Sequence, residues 1–187
     1  RSNRSPDFQV LVQRDASGVL YSVEAPPVMT YRGTVEEWGD ARVGASFDGT
    51  NLQAVIITSD SMYTVQPVSK LKIPAPDGFH VVYKASDWVN RNGYHCGTTD
   101  DQRVAELEPF EVEGHVGVPR GTGLKTADLG LDADFEFYQL NGSSVANTVL
   151  DMENVVNAVE TIFETECTIE YETTTIIVRA TAADPYT

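Results

Sequence analysis

The sequence predicts an α+β fold in which a β-rich meander precedes an incomplete βαβ unit. Three observations predict it. Before residue 100 the apolar residues alternate with period 2 and are broken by turn-forming clusters. After residue 144 one stretch switches to a helical period. A β-branched run then follows from Thr168 to Ala180.

The elements can be justified in order. Phe8 to Arg14 and Val19 to Val23 flank Asp15-Ala16-Ser17-Gly18 and read as a hairpin. Ala41, Val43, Ala45 and Phe47 alternate with Arg42, Gly44 and Ser46, the pattern of a half-buried strand. Asp48-Gly49-Thr50-Asn51 turns the chain into Leu52 to Thr58, apolar on both faces and so a central strand. Strands near Tyr63 to Val65 and Val81 to Ala85 complete the meander.

The later part has a different grammar. Asp134 to Leu140 reads as a strand, ended by Asn141-Gly142-Ser143-Ser144, where a serine can cap a helix. Val145, Val149, Met152, Val156, Val159 and Phe163 then fall on one helical face. Asp151, Glu153, Asn154, Asn157 and Glu160 fall on the other, which reads as solvated. With the strand from Thr168 to Ala180 the order is strand, helix, strand, which lays two parallel strands into one sheet. Such a unit alone exposes its sheet edges, so it begins a domain rather than completing one.

A seam separates the two parts. Residues 1–125 carry a net charge of -4 and residues 126–187 one of -11, where Arg179 is the only base. The stretch 117–130, with four glycines and a proline, reads as a linker. Arg120 and Lys125 within it are candidate processing sites, because proteases cut exposed, weakly structured segments. The expected division is therefore 1–116, 117–130 and 131–187.

Composition excludes several functions. A net charge of -15 disfavours nucleic acid, whose phosphates call for clustered Lys and Arg. No apolar run approaches the roughly 20 residues of a membrane span. There is no His-Glu-x-x-His, no Gly-x-Ser-x-Gly and no phosphate loop. His80, His95 and His115 are too scattered for a ligand set, and the chain does not look like a complete enzyme. The stretch NGYHCGTTDD holds Cys96, one of two cysteines. Three roles compete for it: a disulfide with Cys167, a buried thiol, or a metal-binding thiolate.

The motifs carry a family resemblance. Tyr31 to Val35, Arg42 to Phe47, the apolar strand to Ile57 and the close Val65-Gln66-Pro67 resemble the prodomain of reprolysin-type, ADAM-like zinc metallopeptidases. His95-Cys96-Gly97-Thr98 resembles that prodomain's Cys-Gly element, with the histidine immediately adjacent here. Asp132 to Tyr138, the helix with Asn147, Val149, Asn154, Val155 and Asn157, and Tyr171 to Arg179 resemble the opening strand, helix and strand of a bacterial metzincin catalytic domain.

The resemblance implies a secreted zymogen. Residues 1–116 would be the prodomain and 131–187 the first βαβ of the catalytic domain. Cys96, supported by His95 and Gly97, would ligate the catalytic zinc and displace its water, a cysteine switch. The zinc itself would be held by the remainder of the catalytic domain, the implied partner, and the parent enzyme would cleave proteins or peptides. Without the His-Glu-x-x-His helix, this chain alone would be inactive. The alternative is an extracellular structural or adhesive module that associates by strand addition.

Overall fold

The period-2 segments fold into two sheets, and the one long helical segment lies against both. In the computed structural model residues 2–71, 73–89 and 123–186 are described. Residues Arg1–Ser86 and Leu124–Thr187 make one compact unit. Asp87–Gly123 make another, of which only residues 87–89 and 123 are described.

The first sheet is the meander. Strands β3 (Thr30–Val35), β4 (Trp38–Phe47), β5 (Leu52–Ile57), β6 (Met62–Pro67) and β7 (His80–Lys84) pair antiparallel in chain order. The alternation read from Ala41 to Phe47 lies within β4, and the apolar run at Leu52 is the middle strand, as expected. Asp48 makes the β4–β5 turn by accepting from the N–H groups of Thr50 and Asn51 at 2.8 and 2.7 Å. These bonds, first of all that to Asn51, lower the Asp48 carboxyl from its ordinary range.

The second sheet joins the two ends of the chain. Its order is β2-β1-β9-β8, with β1 (Arg4–Gln13), β2 (Leu20–Val23), β8 (Lys125–Ala133) and β9 (Ile169–Arg179). β1 and β2 form the expected hairpin. β8 and β9 are parallel neighbours, as a βαβ unit requires. On the other side of β9 lies β1, also parallel. The division at residues 117–130 therefore passes through one unit, because the N-terminal strand shares a sheet with the C-terminal strands.

Two helices connect β8 to β9: α1 (Phe135–Leu140) and α2 (Val145–Cys167). Ser144 caps α2, its hydroxyl accepting from the Asn147 N–H at 3.3 Å. Two expectations need correction here. The first strand of the βαβ unit is Lys125–Ala133, which begins inside the stretch read as linker; the stretch from Asp134 to Leu140 is a capped helix, Phe135–Leu140. The cause is capping of the helix start: the Asp134 carboxylate accepts from the Phe137 N–H at 2.7 Å, and the distant Asp184 accepts from the Phe135 N–H at 2.8 Å. Two free donors of a helix start are thereby satisfied.

Register fixes the core. Val10 pairs with Ile176 and Ile176 with Leu131, while Val12 pairs with Val178 and Val178 with Ala133. These two rows face one way, since side chains alternate across a sheet. Val10, Val12, Ile176 and Val178 close on Val149 of α2, and Val145 and Met152 pack around them. At the ends of the same strands Arg179 grips Asp132 with bonds of 2.9 and 2.5 Å and donates to Gln13 at 2.7 Å. One side chain thus ties β9 to β8 and β1. The Asp132 hydrogen bonds hold the Arg179 guanidinium above the ordinary arginine range, outweighing its partial burial. The same carboxylate, through a hydrogen bond, raises the Tyr186 hydroxyl above its ordinary value.

Candidate functional site

The helix face read as solvated is buried. Glu153, Asn157 and Glu160 are 6%, 1% and 1% exposed, and Thr161 on the same side is 1% exposed. An ionised carboxylate is costly to bury unless it is paired and hydrogen-bonded. The partners come from the N-terminal part of the chain.

Arg4 of β1 takes Glu153 with two bonds, Nε to Oε1 at 2.5 Å and Nη2 to Oε2 at 3.0 Å. Its remaining Nη1 donates to the Pro26 carbonyl at 2.7 Å, and the guanidinium lies 4.6 Å from the centre of the Phe8 ring. Arg32 of β3 makes the second clamp. It donates to Asn157 Oδ1 at 2.6 Å, to Glu160 Oε2 at 2.6 Å and to Glu164 Oε2 at 3.4 Å. Glu160 also accepts from the Asn3 amide and from the Tyr171 N–H. A planar guanidinium suits this work, because its donors are held in a fixed fork.

Asn157 spans the gap from helix to meander. Its Nδ2 donates to the Tyr31 carbonyl at 3.2 Å and to the Ala45 carbonyl at 2.9 Å. These carbonyls lie in neighbouring strands, so one amide grips two strands at once. The approach depends on Gly44. A β-carbon there would sit 2.3 Å from Thr161 Oγ1 and 2.9 Å from the Asn157 carbonyl oxygen. Only glycine lets the strand lie this close to the helix.

Beside this contact a cavity of about 170 Å³ lies between helix and meander, with Ser46, Gln53, Thr64 and Gln66 among its lining. The Asn154 amide borders it, both polar atoms buried. The third side of α2 is exposed and apolar: Val155 is 57%, and Val159 and Phe163 are each 37% exposed. Two positions expected on the core face, Val159 and Phe163, thus lie at the surface.

The residues singled out from sequence fall as follows. His95, Cys96, Gly97 and Arg120 lie outside the described residues. Lys125 opens β8, exposed, with its N–H donated to the Thr168 carbonyl at 2.9 Å. A peptide bond paired into a strand is a poorer protease target than one in an unpaired segment. Cys167, the candidate disulfide partner of Cys96, ends α2 as an exposed free thiol. His80 is engaged in structure: Nε2 accepts from the Leu52 N–H at 2.8 Å, and Nδ1 faces the Gly78 carbonyl at 2.7 Å. Those contacts select the tautomer protonated at Nδ1. Sequence reasoning missed Arg4, Arg32, Gly44 and the buried carboxylates. The signal available was the occurrence of glutamates and asparagine at helical spacing, 153, 157, 160 and 164, which the acidic background concealed.

Among the described residues no three His, Cys, Asp or Glu side chains gather as metal ligands. No helix among them is long and apolar enough to cross a membrane. The architecture defines a mixed α+β chain whose central helix is held between a parallel-stranded sheet and a meander. Neither a known protein family nor a curated protein matches the chain.

Proposed function

We propose that the chain is the N-terminal part of a secreted, bacterial-type zinc metalloendopeptidase precursor, in which the β-rich segment keeps the enzyme latent and assists its folding. One observation carries this reading: the N-terminal segment completes the βαβ unit. It supplies β1 to the open side of β9, and Arg4 and Arg32 to the carboxylates of α2. A precursor segment that assists folding has to do this, because an isolated βαβ unit leaves its edges and buried charges unsatisfied.

Since the described residues form no metal-ligand cluster, the zinc of this proposal belongs to the remainder of the catalytic domain. Bound there, it would activate the water that attacks a peptide substrate. The part given to this chain is to hold Cys96, flanked by His95 and Gly97, against that metal, so that a thiolate takes the water's place. Chain scission at Arg120 would begin activation. The test is Cys96→Ala in the full-length precursor. Peptide hydrolysis before processing should rise to near that of the processed enzyme; unchanged latency would sink the proposal.

The second reading, an adhesive module, has an observation of its own. Among the described residues β8 ends its sheet as a nine-residue strand, and Val155, Val159 and Phe163 leave an apolar stripe exposed on α2. In the zymogen reading the remainder of the catalytic domain covers this edge. In the adhesive reading another chain adds a strand to it. A coding sequence continuing past Thr187 into His-Glu-x-x-His-x-x-Gly-x-x-His decides for the first, and its lack decides for the second.

A further inference from the structure

From the way the unit is built we infer that cutting the chain between Ser86 and Leu124 does not separate its halves: the N-terminal piece stays bound to the C-terminal piece as a tight non-covalent partner. The compact unit is assembled from both sides of that segment, Arg1–Ser86 and Leu124–Thr187. Its internal contacts do not run through the connecting residues.

Three kinds of contact hold the pieces. The first is backbone pairing. β1 runs in parallel register with β9 from Gln9–Thr175 to Gln13–Arg179. The pairing is flanked by bonds from Thr173 N–H to the Asn3 carbonyl at 2.6 Å and from Ala180 N–H to the Gln13 carbonyl at 2.9 Å. The second is apolar. The core cluster takes Val10 and Val12 from one piece and Val149, Ile176 and Val178 from the other, so neither piece can bury it alone. The third is the polar seam. Two arginines of the N-terminal piece neutralise Glu153 and Glu160 of the other, and Asn157 reaches back to two carbonyls of the meander.

Separation would expose the β9 edge, the valines and the carboxylates together. Scission removes the covalent link, and with it the effective concentration by which one chain holds its two parts together. Every contact above survives the cut.

The inference rests on the zymogen reading for its consequence. If the chain is a precursor, processing at Arg120 does not by itself release the catalytic portion. Release requires a second event, either a cut within the N-terminal piece or a condition that opens the polar seam. The association itself involves no zinc and no protease activity, so the two ideas fail separately.

The experiment uses the full chain with the recognition sequence of a site-specific protease placed at residues 104–110. After complete cleavage, verified on a denaturing gel, the sample is examined by size exclusion at about 1 μM and by native mass spectrometry, a concentration well below the tether's effective one. One species containing both pieces is expected; two separate species overturn the inference. The cleaved Arg32→Met chain should dissociate at least about tenfold more readily, since Asn157 and Glu160 lose the Arg32 fork. Equal retention of that variant overturns the grip assigned to the seam. Should Arg32→Met fail to fold uncut, Arg32→Lys, which keeps the charge and loses the fork, makes the same comparison. Latency of the precursor, read with Cys96→Ala, is unaffected by either outcome.

Discussion

The two sides of α2 are held by opposite chemistry. Toward the β2-β1-β9-β8 sheet the helix presents Val149, with Val145 and Met152 beside it, and the contact is apolar burial against Val10, Val12, Ile176 and Val178. On its other side it presents Glu153, Asn157, Glu160 and Thr161, and the contact, to Arg4 of β1 and to Arg32, Tyr31 and Ala45 of the meander, is made by forks and amides aimed at particular atoms. The first kind of contact is non-directional and tolerates change of about the right size. The second exists in one register only, because every buried charge needs its own partner.

The comparison is broken most severely on the apolar side. Ile176 is fully buried in the middle of the core, so Ile176→Ala should destabilise the unit by about 4 kcal/mol, within the range for large-to-small core changes. Urea denaturation of the full chain reads it. A loss below about 1 kcal/mol would mean that the site can collapse around the gap, and that the core is not close-packed.

Arg32→Met probes the polar side and should cost about 3 kcal/mol, the penalty of taking a guanidinium fork away from a buried carboxylate. The informative variant is the double change with Glu160→Met. Replacing both members by apolar side chains removes the stranded charge, so the double variant should be more stable than Arg32→Met alone. Simple addition of two losses would show that the pair acts through packing rather than charge. No pair of core truncations on the other side of the helix should show such recovery, because there each deletion only removes contacts.

Much of this organisation was legible in the sequence, and the misses have two physical origins. Strands β1, β2 and β4 to β7 announced themselves by local alternation and turn residues, and α2 by its period and its serine cap. β8 was concealed because four glycines in 117–130 outweighed the alternation of Ala127, Leu129 and Leu131. The polar seam was concealed more thoroughly. A glutamate in an acidic chain defaults to a solvated face, and what overrides that default lies far away in sequence. Arg4 is 149 residues from Glu153, and Arg32 is 128 from Glu160. The parallel pairing of β1 with β9 has the same character. Local pattern specifies elements; it does not specify which distant element will neutralise a charge or cover an edge.

The finest test separates two glycines of adjacent strands. Gly44 and Gly33 both lie in the meander, and neither needs a left-handed backbone. A β-carbon at Gly33 meets nothing within 4 Å, whereas one at Gly44 falls 2.3 Å from Thr161 Oγ1. Gly44→Ala should therefore cost about 2 kcal/mol by overpacking, while Gly33→Ala, which only restricts the unfolded chain, should be neutral or slightly stabilising. Adding Thr161→Ala to Gly44→Ala should recover part of the loss. Full recovery is not expected, because the second obstruction, 2.9 Å away, is the backbone carbonyl of Asn157, which moves only with the helix. Thermal unfolding of the four chains measures all of this. If Gly44→Ala and Gly33→Ala melt together, the helix does not sit on the meander at this distance, and the Asn157 bonds to Tyr31 and Ala45 lose their geometric basis.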